Sequence, residues 1–95
     1  MKSPASYSLP MTIFREGAYF VAYSPALDLS SAGKTTKEAK RMFAEAVDVY
    51  FEELVEMGTL NAVLKDLGWT KTKNILQPPK VVQHRIVDIH VPAMA

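Results

Sequence analysis

Ala39, Met42, Phe43, Ala46, Val49, Tyr50, Leu54 and Met57 recur at intervals of three and four residues, the spacing of one face of a helix. Thr35 and Glu38 precede this run at capping-box spacing. The threonine hydroxyl is expected to accept the Glu38 amide while the carboxylate reaches back to the amide of Thr35. Gly58 then supplies a residue able to take the left-handed stop. The sequence thus predicts a helix of about six turns over Thr35–Met57. A helix this long with one apolar stripe must lie across another apolar surface. A chain of 95 residues has room for a single core, so that surface has to come from the short segments on either side.

Those segments read as strands. Over Tyr7–Phe14, Tyr7, Leu9, Met11 and Ile13 alternate with Ser8, Pro10 and Thr12, the pattern of a half-buried strand. Pro10 has no amide to donate, which places this strand at a sheet edge. Arg15, Glu16 and Gly17 read as a turn into a second strand, Ala18–Ser24, which Pro25 ends. Leu29–Gly33 reads as a third strand or an extended connection. Beyond the long helix, Leu60, Val63, Leu64 and Leu67 repeat the helical period as far as Gly68 and Trp69. Thr70–Lys80, with Pro78 and Pro79, reads as a loop. Val81–Val91 sets Val87, Ile89 and Val91 on one face against Ile86, Asp88 and His90 on the other, and reads as a last strand stopped by Pro92.

The expected class is α+β: a three-stranded antiparallel sheet with one long helix packed on it, a short second helix and a C-terminal strand, in the order β-β-β-α-α-β. Residues 1–95 form one domain. The last strand must join this sheet or pair with the same strand of a second subunit, since an isolated strand leaves its backbone groups unsatisfied. The second route implies a homo-oligomer, dimer or higher.

Composition removes several function classes. The chain has no cysteine, which excludes a disulfide framework, a thiolate zinc site and a cysteine nucleophile, and fits a reducing cytoplasm. Eleven basic and ten acidic residues leave a formal charge of +1, so nucleic-acid or membrane attraction has to be local. The apolar stretch Tyr19–Tyr23 is far short of the roughly 20 residues a membrane-spanning helix requires.

The segment from Ala22 to Ala39 reads Ala-Tyr-Ser-Pro-Ala-Leu-Asp-Leu-Ser-Ser-Ala-Gly-Lys-Thr-Thr-Lys-Glu-Ala. In it Pro25, Leu27 and Asp28, then Gly33 and Thr35, then Glu38 and Ala39 match in type and spacing the Pro-x-Leu-Asp, Gly-x-Thr and Glu-Ala pattern of the HicB-like antitoxins. By these residues, and by the Glu-Met-Gly and Leu-Gly-Trp that follow, the chain resembles that family over roughly residues 11 to 70. The resemblance implies a partial ribonuclease H fold and a binding function. In that function the domain would hold a small basic HicA-type ribonuclease and block its access to messenger RNA. Many such antitoxins carry a C-terminal DNA-binding unit. Only Pro92 to Ala95 follow the last expected strand here, so no such module and no direct DNA binding are expected. Ser24, Ala26 and Ala32 depart from the residue types common at those positions.

Catalysis is not expected. A ribonuclease H centre needs several carboxylates around two metal ions, and the central hairpin is apolar. His84, Asp88 and His90 share a strand face, but at ~3.3 Å per residue the two histidines stand about 20 Å apart, so no metal or other cofactor is assigned. Gly33-Lys34-Thr35 lacks the earlier glycine of a phosphate loop. The informative feature lies instead on the outer face of the long helix. There Lys37, Lys40 and Arg41 stand near the N-terminus, and Glu45, Asp48, Glu52, Glu53 and Glu56 toward the C-terminus. This order opposes the helix dipole, which favours the reverse arrangement by about 0.3–1 kcal/mol per charge. Glu45, Asp48, Glu52 and Glu56 form one acidic ridge, either a solvated face or a docking site for a basic partner. The main expectation is an antitoxin-like module; an orphan interaction or scaffold domain of the same fold is the alternative.

Overall fold

The computed structural model describes residues 8–73 and 75–93. Three strands come first: β1 (Thr12–Glu16), β2 (Tyr19–Ser24) and β3 (Leu29–Gly33). They form one antiparallel sheet in the order β1-β2-β3. Strand β1 starts after Pro10 and runs on through Glu16, two residues past the expected strand end at Phe14 and into the expected turn. Pairing continues to Glu16↔Tyr19 because the connection needs only Gly17 and Ala18. Gly17 takes φ 63° and Ala18 does not have a positive φ, the pattern of a type II′ hairpin turn, whose twist matches that of the strands. Tyr7 lies outside the described residues.

Between β2 and β3 the chain reverses through Pro25–Asp28. The Ala26 amide donates to the buried Ser24 Oγ at 3.3 Å, and the Tyr23 hydroxyl donates to Asp28 Oδ1 at 2.9 Å. Asp28 sits in the left-handed region at φ 49°, which aspartate tolerates better than most residues.

Helix α1 (Thr36–Met57) follows Thr35 as N-cap and stops at Gly58, which is left-handed at φ 71°. Thr35 Oγ1 accepts the Glu38 amide at 3.0 Å. The return bond differs from expectation: Glu38 Oε1 accepts the amide of Lys34 at 3.3 Å, one residue before the cap. The helix lies mainly over β3 and β2. Ala22, Ala39 and Phe43 form one buried cluster, flanked by Ile13, Phe20, Leu29 and Val47.

Helix α2 (Leu60–Asp66) closes the other end of the core. Leu27, Leu64 and Trp69 are buried together there, with the Phe51 ring edge-on to Trp69 at 6.4 Å between centroids. The Trp69 indole N–H donates to the Ala26 carbonyl at 2.8 Å across 43 residues of chain, which ties the β2–β3 turn to the end of α2.

The α+β class, the three-stranded sheet and both helices agree with the sequence reading, but the C-terminal strands lie elsewhere. The segment expected to be a loop contains a hairpin, β4 (Thr70–Thr72) with β5 (Ile75–Gln77), paired Thr70↔Gln77 to Thr72↔Ile75. Lys73 takes φ 53° at its turn. Val81–Val91 forms no ladder within the chain and every one of its residues is exposed. Pro78 and Pro79 cut pairing off directly after β5, because proline has no amide to continue the ladder. No helix among the described residues is long and apolar enough to cross a membrane.

Candidate protein-binding surface

The outer side of α1 presents Glu45, Asp48, Glu52 and Glu56, all exposed. Because the helix is continuous from Thr36 to Met57, their steps of three and four residues place them on one ridge, as the sequence implied. Glu45 also accepts from Arg41 Nη1 at 3.2 Å, an i,i+4 pair with both side chains 61% exposed. Such a pair contributes only a few tenths of a kcal/mol, so it leaves Glu45 accessible to a competing cation. Each ridge carboxylate can offer a charge-assisted hydrogen bond to an arginine or lysine.

Beside this ridge the structure opens a trough that the sequence reading did not identify. Leu29 and Ser31 of β3 form one wall, Met42, Ala46, Val49 and Tyr50 of α1 the other, with Glu45 and Glu53 on the rim; its volume is about 410 Å³. The sequence assigned Met42, Ala46 and Val49 to the core stripe. At ~100° per residue, Val49 and Leu54 stand roughly 140° apart around the helix, and a sheet that ends at β3 covers only the Leu54 side. Val49 stays 52% exposed while Leu54 is 9% exposed. Stripe width was the available signal, since it exceeds what one three-stranded sheet can cover.

The residues carried by the family resemblance serve the architecture. Pro25 ends β2 and is exposed; Leu27 is 2% exposed inside the second core cluster. Asp28 holds Tyr23, and Thr35 and Glu38 cap α1. Gly33 lies where a β-carbon would stand 2.5 Å from the Ala39 backbone nitrogen. The motif therefore fixes how the strand-to-helix corner closes.

Two tyrosines have perturbed phenols. Tyr23 is held above its ordinary 10.0, first by its hydrogen bond to Asp28, then by burial and by the negative charge of that carboxylate. Tyr50 is raised by burial and, to a smaller degree, by Asp28. Both stay protonated at neutral pH, and the Tyr23 hydroxyl donates to Asp28. Among the described residues no three His, Asp or Glu side chains are grouped as metal ligands would be. His84, Asp88 and His90 stand exposed on the extended segment after Pro79. Against protein-family models, curated proteins and solved structures, the chain has no match.

Proposed function

We propose that this protein is an antitoxin-like binding module that neutralises a small basic HicA-type, mRNA-cleaving toxin by covering its RNA site. The observation that carries the reading is the exposed ridge of Glu45, Asp48, Glu52 and Glu56, set on a rigid helix whose buried side is anchored by Ala39, Phe43 and Leu54. A protein that grips RNA needs cationic side chains to do so. A row of carboxylates at helical spacing meets those side chains, speeds encounter and excludes the phosphate backbone in the same act. The placement of acids at the C-terminal half of α1 costs helix stability, which argues for a use beyond solubility.

The test is charge reversal with a fold control. Lysine at positions 45, 48, 52 and 56 together is expected to abolish binding to a purified basic toxin of this type and its rescue on co-expression, with the helical circular dichroism unchanged. Unchanged affinity in the folded variant overturns the ridge as the docking site. A second reading, a scaffold domain of the same fold without a toxin, is favoured by the architectural use of Leu27, Gly33, Thr35 and Glu38. Co-expression separates the two: a scaffold leaves toxicity untouched.

A further inference from the structure

Two features of the fold are incomplete, and each has what the other lacks. The first is the segment Val81–Val91. Val82, Ile86, Val87, Ile89 and Val91 are between 70% and 95% exposed, and no backbone group of the segment belongs to a ladder. The molecule is elongated. The radius of gyration is 16.4 Å, against about 12.4 Å for a compact chain of this length, and the longest dimension is 59 Å where the other two are 28 and 23 Å. The second is the outer edge of β3. Among the described residues it has no neighbouring strand, and its Leu29 and Ser31 line the open trough alongside α1.

We infer that Val81–Val91 of one copy adds as a fourth strand to the β3 edge of a second copy, with Val87, Ile89 and Val91 inside the trough. The dimensions agree. Met42 to Glu53 on α1 spans ~16 Å at 1.5 Å per residue, and Val87 to Val91, four strand steps, spans ~13 Å at 3.3 Å each, so the segment fits within the trough. The alternation of the segment sends Val87, Ile89 and Val91 to one face, against Leu29, Met42, Ala46 and Val49. The opposite face then carries Ile86, Asp88 and His90 to solvent.

Charge sets the direction. Gly33 approaches the start of α1 at Glu38 and Ala39, so that end of the trough lies beside Lys37, Lys40 and Arg41. The Leu29 end lies toward Glu53 and Glu56. Arg85 shares the face of Val87 and precedes it by two residues. An added strand running parallel to β3 brings Arg85 to Glu53, whereas the antiparallel direction brings it to the basic end. The β1 edge is the poorer acceptor. Arg15, which lies over the Phe20 ring at 5.9 Å, stands on the helix-facing side of that edge, where it would repel Arg85. Two copies exchanging segments in this way satisfy both edges at once and close a symmetric dimer. The inference does not rest on the toxin reading, and its test contains no toxin.

Light scattering on the full chain at tens of micromolar is expected to give twice the monomer mass. Ile89→Lys, a change at a position exposed in the single chain, is expected to return the monomer mass with the circular dichroism kept. Arg85→Glu is expected to weaken the dimer several-fold, and Glu53→Arg in the same chain to restore it. Since the chain has no cysteine, Arg85→Cys combined with Glu53→Cys is expected to give a covalent dimer on non-reducing gels. A monomeric mass for the unmodified chain overturns the exchange. A dimer that survives Ile89→Lys also overturns it, because its interface then lies elsewhere.

Discussion

At the scale of single residues, the positions that set the geometry are those where the backbone has no room or an unusual φ. Gly33 ends β3 under the first turn of α1, and a β-carbon there would meet Ala39 N at 2.5 Å and the Glu38 carbonyl carbon at 2.8 Å. These are backbone atoms of a capped helix, so relief requires the helix start to move. Gly33→Ala is expected to destabilise the fold by about 1–3 kcal/mol, read from the urea midpoint at unchanged slope. A second residue-scale prediction concerns pH. Tyr23 and Tyr50 hold their protons more tightly in the fold than in the unfolded chain, because a charged phenolate would lose the Asp28 hydrogen bond or sit partly buried. The stabilisation this represents is complete below the ordinary phenol value of 10.0 and is lost as pH rises through the higher folded-state values. The urea midpoint should therefore fall on the alkaline side of pH 10.0. Tyr23→Phe should make that fall shallower, leaving the part that belongs to Tyr50; an identical alkaline limb in the variant contradicts the assignment.

At the scale of elements, α1 is the piece most fully written in local sequence. Thr35 and Gly58 mark its two ends, and both do so by a mechanism visible from residue type alone: a hydroxyl for an unpaired amide and a glycine for a left-handed stop. Thr35→Ala is expected to cost about 1 kcal/mol and Thr35→Ser much less, checked by thermal unfolding. Equal losses in the two variants would show that the γ-methyl, not the hydroxyl, is what matters. The strands were legible in number and order but not in their ends. Pro10 suggested an edge strand around itself, whereas the amide-free residue stands before the first ladder pair at Thr12. The β4–β5 hairpin was illegible because each strand is three residues long, too short for any periodicity to emerge. Val81–Val91 shows the converse failure. Its alternation is that of a strand, but pattern specifies only that a partner is wanted, and among the described residues the segment pairs with none. The ridge was legible because helical spacing alone determines which carboxylates align. The trough was not, since it depends on where the sheet stops relative to the helix.

At the scale of the whole molecule, charge is distributed along α1 and not as net charge. The total of +1 gives no long-range field, so under the proposed function a basic partner would be drawn by the ridge alone, at separations within about one Debye length, ~8 Å at physiological salt. Two ways of holding such a partner differ in their dependence on salt. If the exposed carboxylates steer the encounter, raising the salt concentration lowers the association rate steeply and changes the dissociation rate little. If apolar contact along the trough dominates, the association rate is nearly insensitive to salt and the loss appears as faster dissociation when the wall is altered. The Arg41–Glu45 pair is too exposed to mask the ridge, so the first behaviour is expected: a salt-dependent association rate for the native chain, flattened when Glu45, Asp48, Glu52 and Glu56 are replaced by glutamine. Stopped-flow rates for binding to the basic toxin over a range of salt concentrations measure this directly, and equal slopes for the native and glutamine chains would remove the ridge from the encounter.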